Sequence, residues 1–381
     1  MDPRFYTLAV HSGAKIEPIT GAVNIPIFQT STFAQSSPGK HSGYEYSRAG
    51  NPTRTAYEKA LAELEGSAHG LAFSSGLAAE QAIIQILNPG DHVLVCDDIY
   101  GGTGRLFRQL FSKYGLEFDF IDMTDLEFVK SQLRSNTRMV WIETPSNPTL
   151  KLVDIKGVSH LSKAHKAIVV VDNTFASPVF QRPLQLGADV VIHSTTKYIG
   201  GHTDLIGGAV MMDDDELYEK IKFVQFAAGA IPGPQDCYLL HRSIKTLAIR
   251  MMQHQANAKE VAAFLEGHPR VRKVFFPGSR THPQYALGKE QMSGYSGIVS
   301  FDWNGTFEEV IKITKRFKLF TLAESLGGVE SLVNHPEQMT HASVPAELRK
   351  KLGISSTLLR LSVGIEFHSD LIADLDQALS F

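Results

Sequence analysis

AIVVVDNTF, Ala167 to Phe175, and VVIHSTTKYIGGHTD, Val190 to Asp204, decide how this chain folds. Each contains an unbroken apolar run, Ile168–Val171 and Val190–Ile192, with no polar alternation. Such runs read as strands buried on both faces, as in a parallel sheet covered by helices. Outward from them the same rhythm continues. Leu71–Phe73, His92–Cys96, Leu116–Ile121 and Met139–Ile142 read as further strands. Arg54–Leu64, Ala78–Leu87, Arg105–Lys113, Leu126–Leu133 and Ile155–His165 read as the helices between them. The alternation predicts an α/β fold with a mostly parallel sheet.

The flanks differ. Residues 1–50 are rich in turn formers and predict an extended arm that packs on a neighbouring subunit. After Ile244 a helical stretch to Gly267 predicts a connector, and strands near Gly297–Phe301 and Leu358–Ser362 predict a smaller α+β domain. The expected division is an arm at 1–50, a large domain at 51–245 and a small one at 246–381. A chain of 381 residues is long for one hydrophobic core. Its net charge of −3 carries no basic field, which argues against nucleic acid or anionic membrane as partner. Two cysteines, Cys96 and Cys237, build no disulfide framework and point to a reduced, cytoplasmic setting. The sequence predicts no signal peptide, no membrane span and no metal site.

Ligands of open parallel sheets bind beyond the carboxyl ends of the strands. Asn147, Asp172 and Lys197 each follow a predicted strand, which predicts one shared site. Alone, Asp172 reads as a helix cap and Lys197 as a surface lysine. Together they read otherwise. A buried carboxylate needs a cationic partner. A buried lysine becomes a neutral nucleophile for a carbonyl. Gly76 in FSSGLAA bends a strand into a helix whose free N–H groups suit an anion. Ser194 and Thr196 add hydroxyls, Arg48 in YEYSRAGNPT a possible phosphate clamp, and Tyr100 a ring able to stack. Arg360 in LLRLSVGIE predicts a buried cation awaiting an anion, and Glu324-Ser325 lie in a Gly-rich turn. No Walker lysine or G-x-G-x-x-G follows a strand, so nucleotide binding is disfavoured.

Taken together, YEYSRAGNPTR, FSSGLAA, YGGTGRLF, ETPSNPTLKLVDI, VVDNTF, HSTTKYIGGHTD, LAESLGGVESLVNHPEQMTHASVP and LRLSVGIE resemble, in order and over nearly the whole chain, the trans-sulfuration (Cys/Met metabolism) branch of pyridoxal-5′-phosphate (PLP) enzymes. The resemblance implies the fold type I, aspartate aminotransferase-like architecture and a homotetramer with sites shared across a dimer. It implies Lys197 as the Schiff-base lysine, Asp172 as partner of the pyridine nitrogen and Tyr100 stacked on the ring. Gly76, Leu77, Ser194 and Thr196 would hold the phosphate, with Tyr46 and Arg48 supplied to the neighbour's cofactor. Asn147, Ser325 and Arg360 would orient the substrate carboxylate, with Glu324, Arg105 and Glu45 toward its far end. Gly104 and Thr203 depart from the family, where a larger residue and Ser are common. Gly102 is not the cysteine typical of methionine γ-lyases. The expected activity is carbon–sulfur cleavage of cystathionine, a sulfur amino acid, with γ-elimination favoured on Glu324. Cystathionine γ-synthase and β-lyase are the alternatives within the family. A plain aminotransferase and a PLP-binding protein without turnover are the alternatives outside it.

Overall fold

The computed structural model describes residues 2–342 and 344–380. Met1, Ser343 and Phe381, which fall in the expected arm, the HASVP block and the small domain, lie outside the described residues. A seven-stranded sheet carries β1 His69–Phe73, β2 His92–Cys96, β3 Glu117–Ile121, β4 Thr137–Glu143, β5 Ile168–Asp172, β6 Val190–Ser194 and β7 Gly208–Met212. Their order is β1-β7-β6-β5-β4-β2-β3, and β7 alone runs against its neighbours. Val93–Val95, Val140–Ile142 and Val169–Val171 are at most 1 % exposed, which explains why these strands read as continuous apolar runs.

The two-residue period of a strand divides this sheet between two cores. Val190, Ile192, Val210 and Met212 point into one, while Val191, Ala209 and Met211 point into the other with Tyr57, Leu61 and Leu64. Those three sit on the helix Pro52–Glu65, whose ends are set locally. Asn51 accepts from the N–H groups of Thr53 and Arg54, proline occupies the first turn, and Gly66 closes the helix at φ 73°.

A second sheet has β8 Val271–Phe275, β9 Ile298–Trp303, β10 Thr321–Leu322, β11 Leu332–Asn334 and β12 Leu358–Ser362, in the order β10-β11-β12-β9-β8. The helix Leu247–Gly267 joins the two halves. Leu247 and Met251 pack in the core under the first sheet, and Val261 and Leu265 in the core of the second.

Three expectations need correction. The N-terminal segment is not wholly extended: Arg4–His11 is a helix that buries Phe5 and Ala9. The expected helix Arg105–Lys113 is an α-turn, Gly101–Arg105, then a π-turn, Leu106–Leu110, then a 3-10 turn, Phe111–Tyr114. The strand GAVMM was not read from the sequence; it joins β6 without an intervening helix, the connection an antiparallel pair allows, and the sheet stays mostly parallel as expected.

Candidate active site

The neighbouring strands β4, β5 and β6 end side by side, and the carboxyl ends open into a cavity of about 1070 Å³. Gly76, Leu77, Tyr100, Asn147, Asp172, Ser194, Thr196, Lys197, Glu324, Ser325 and Arg360 all line it. The second sheet also lines it through β12, whose Arg360 meets Ser325, the residue that Lys197 bonds.

Gly76 starts the helix Gly76–Ile84, which Ser75 caps by accepting from Ala78 N–H at 3.0 Å. A Cβ at position 76 would lie 3.1 Å from that of Ser194, so glycine keeps this corner open. The hydroxyl of Thr196 already donates to the Gly207 carbonyl at 3.2 Å and accepts its N–H at 3.0 Å. Asp172 accepts from Thr174 N–H at 2.9 Å, and burial pushes its carboxyl up from the usual range.

Lys197 Nζ donates to Ser325 Oγ at 2.6 Å. Burial, helped by the charge of Arg360, pulls its amine down to about 8, against the opposing charge of Glu324. Arg360 is 1 % exposed and donates to Asn147 Oδ1 at 2.8 Å and to the Ser325 carbonyl at 2.9 Å. Its Nε is buried without a partner, and among the described residues no carboxylate lies within 4.0 Å of the guanidinium. Burial draws it down to about 10, still charged at neutral pH. Ser325 sits at φ 82°, a left-handed conformation rare for a residue with a side chain and held here by its two bonds.

Four expected residues stand outside the cavity. Glu45 and Tyr46 are exposed on the 30–50 loop, Arg48 donates to the Phe226 carbonyl at 2.8 Å, and Arg105 is exposed beyond Tyr100. The two small-residue positions are explained by packing. A Cβ at Gly102 would come within 2.3 Å of the Tyr100 ring, whereas one at Gly104 would meet the guanidinium of Arg108 and not the cavity. Thr203 lines the cavity and donates to Glu330 at 3.2 Å.

Residues that sequence reasoning passed over support this wall. His341, fully buried and pulled down to about 4 by burial and by Arg360, is neutral and lies 3.1 Å from the Asn147 carbonyl. Asp98 accepts from the Ser146 hydroxyl at 2.5 Å, from the Thr149 hydroxyl, and from Thr149 N–H at 3.3 Å. It therefore ties the loop bearing Asn147 to the strand end bearing Tyr100. The signal was present in DDIY, a carboxylate pair directly after a buried strand. Asp98→Ala leaves those hydroxyls without their acceptor, and we expect a loss of about 2–3 kcal/mol. Urea denaturation checks this, and an unmoved midpoint would mean that the loop stands without its clamp.

The sequence pattern of Cys/Met metabolism PLP-dependent enzymes matches residues 6–380. The chain is 51% identical over 375 residues to a protein of Coxiella burnetii named cystathionine beta-lyase, covering 98% of this chain and 97% of that one. It is 51% identical over 374 residues to one of Dictyostelium discoideum named cystathionine gamma-lyase, with the same coverage. The crystal structure of a cystathionine gamma-lyase from Lactobacillus plantarum, complexed with L-serine, superposes with a TM-score of 0.96 at 41% identity, covering 99% of this chain and 98% of that one. A lysine at a strand end, a recessed aspartate beside it and matches that run almost end to end therefore lead to one conclusion: this chain belongs to the PLP-dependent enzymes of Cys/Met metabolism and has their fold type I architecture.

Proposed function

We propose that this protein cleaves a carbon–sulfur bond of cystathionine, with γ-elimination to cysteine, 2-oxobutyrate and ammonia favoured. One observation carries the reading. A depressed lysine and a buried arginine without an anionic partner line one cavity and share Ser325 as a bonding partner, so the site can bind an α-amino acid by its carboxylate and move a proton at its α-carbon. Glu324 and Glu330 line the same space and favour a substrate whose far end carries an ammonium group.

The cavity suits the family's cofactor. The start of the helix Gly76–Ile84, with the hydroxyls of Ser194 and Thr196, forms a cradle for a phosphate. Asp172 can face a protonated ring nitrogen, the Tyr100 ring, 40% exposed, can cover a flat face, and Lys197 can attach the aldehyde. Bound PLP supplies an electron sink for negative charge at the substrate's α-carbon. The chain supplies the rest. Arg360, oriented by Asn147 and Ser325, would hold the substrate carboxylate and so fix the substrate's orientation about Cα. The amine of Lys197 would take the Cα proton, and for γ-elimination it would also serve Cβ, with Tyr100 assisting. Glu324 is the residue that leans the reading to the γ position.

Tyr46 and Arg48 lie outside their own chain's cavity, and we assign them to the cofactor phosphate of a neighbouring subunit. Ile19 at 90% and Val23 at 80% exposure, on the same N-terminal segment, favour burial against further chains in a homotetramer. The division into 1–50, 51–245 and 246–381 belongs to the same proposal. A cytoplasmic location is proposed from Cys96 and Cys237, both unpaired and buried. No described helix is long and apolar enough to cross a membrane.

Mass-spectrometric identification of the products from cystathionine tests the function. Cysteine with 2-oxobutyrate is expected, homocysteine with pyruvate makes it a β-lyase, and faster condensation of an O-acylhomoserine with cysteine makes it a synthase. A pH prediction tests the lysine separately. Attachment of PLP to the apoprotein requires the neutral amine, which burial makes available above about pH 8. The attachment rate, followed by absorbance, should rise with pH and level off above a midpoint of about 8. A midpoint near the ordinary lysine value would contradict the depressed amine.

A further inference from the structure

Two carboxyl side chains that the reaction outlined above does not use share the cavity with Asp172. Glu80 lies in the second turn of the helix Gly76–Ile84, is 3% exposed, and lines the cavity. Its Oε1 accepts from the Thr103 hydroxyl at 2.9 Å, while its Oε2 is buried without a partner. Glu143 ends β4 directly opposite Asp172 in the β4–β5 register, is 4% exposed, and accepts from Tyr100 N–H at 2.8 Å through Oε2. Among the described residues, none of the three carboxyls has a cation within 4.0 Å.

The groups facing this cluster are few. Asp172 on β5 acts on Glu80, Glu80 in turn on Glu143 of β4 and on Tyr100 after β2, and Cys96 and Asp98 interact with Glu143. The charge of His193 reaches Asp172. Lys197, Arg360 and Glu324 line the same cavity. Burial pushes Glu80 and Glu143 well above the usual carboxylate range, and in each the second cause is Asp172. Neighbouring carboxyls in a recess without cations cannot all ionise. Asp172 keeps the charge, because it accepts a backbone N–H and lies within reach of His193. With Oε1 of Glu80 occupied by the Thr103 donor, the proton belongs on Oε2.

We propose that Glu80 is carried as a neutral acid beside Asp172, a positioning residue that leaves Asp172 the one ionised carboxylate for the cofactor's ring nitrogen and tempers its hold by offering a proton donor. The inference rests on the reading that Asp172 meets that nitrogen. An ionised Glu80 would put a second negative charge at the same edge and bind cations there more tightly. Glutamine at this position keeps both size and a donor without charge, whereas leucine removes the donor.

The test uses the PLP-loaded enzyme. The infrared difference between wild type and Glu80→Gln in D2O should show one protonated-carboxyl C=O band lost and no carboxylate band lost. Loss of a carboxylate band instead overturns the proposal. In spectrophotometric titration the midpoint of the cofactor's visible band should be unmoved in Glu80→Gln and moved in Glu80→Leu, a split that a purely structural role does not produce. A midpoint lower by about one pH unit or more in Glu80→Gln means that Glu80 was charged, and the idea fails. Thr103→Val is the second variant should position 80 tolerate no change. It should shift the acid band in frequency without adding a carboxylate band, and a new carboxylate band there counts against the proposal. Borohydride labelling separates the two levels. An untagged Lys197 in wild type removes the underlying reading, whereas a tagged Lys197 without the acid band removes this inference alone.

Discussion

Lys197→Ala is expected to lower cystathionine turnover by about four orders of magnitude or more, and to leave the protein without a borohydride-fixed pyridoxyl group. The size follows from how many tasks one side chain carries. In the proposed reaction it is the cofactor's attachment point, the base at Cα and the proton carrier for the later step. General-base removal alone is worth roughly 10²–10⁴ in rate. The loss is chemical and not structural. The side chain is half-buried at the cavity and makes one hydrogen bond, to Ser325 Oγ at 2.6 Å. Its amine is desolvated and faces the positive charge of Arg360, so its removal relieves an unfavourable contact. Without cofactor, the variant should therefore melt at or above the temperature of the wild-type apoprotein. Small primary amines added to it should restore part of the turnover by taking over proton transfer. Turnover within about tenfold of wild type would show that another base serves the reaction.

How far the sequence reached depended on what each segment needed from the rest of the chain. Ile168–Val171 and Leu358–Ser362 lie in strands as read, the first extended by Asp172, because each is a short apolar run with a polar residue in it or at its end that needs a partner from outside. The gathering of Asn147, Asp172 and Lys197 followed from a single rule about strand ends, and the cavity brings them together. The N-terminal helix Arg4–His11 escaped notice because eight residues that bury two apolar side chains give little periodicity. The turns from Gly101 to Tyr114 changed hydrogen-bond register twice, which no apolar spacing records. Glu80 and Glu143 were invisible for a different reason. A glutamate in GLAAEQAII reads as the solvated face of a helix, and one in WIETP as the polar end of a strand. Their burial arises from the packing of Gly76–Ile84 against the sheet and from the β4–β5 register, neither of which is a local property. The roles assigned to Tyr46 and Arg48 required a family resemblance, since nothing in their own chain's cavity calls for them.

Arg360→Met should separate binding from stability. The guanidinium is buried, makes two hydrogen bonds to neutral acceptors, and leaves Nε unpartnered. A cation held this way in a low-dielectric wall is destabilising until an anion arrives, because its desolvation is not offset. On the proposed function that anion is the substrate carboxylate. Methionine matches the stem of the side chain and removes the charge. The Asn147 and Ser325 oxygens lose a donor but belong to residues on the cavity wall, where water can replace it. The variant is therefore expected to melt no lower than wild type while kcat/KM falls about 10²–10³-fold, the range for truncating one member of a buried, hydrogen-bonded charge pair. Most of that fall should appear in KM, with a part in kcat, because the arginine also fixes the substrate's orientation about Cα. Arg360→Lys should recover little, since an ammonium cannot bond a carboxylate and the two neutral acceptors in one plane. Should Arg360→Met instead unfold at clearly lower urea than wild type, the arginine is a structural pin between β12 and the Asn147 loop, and the substrate carboxylate must be held elsewhere in the cavity.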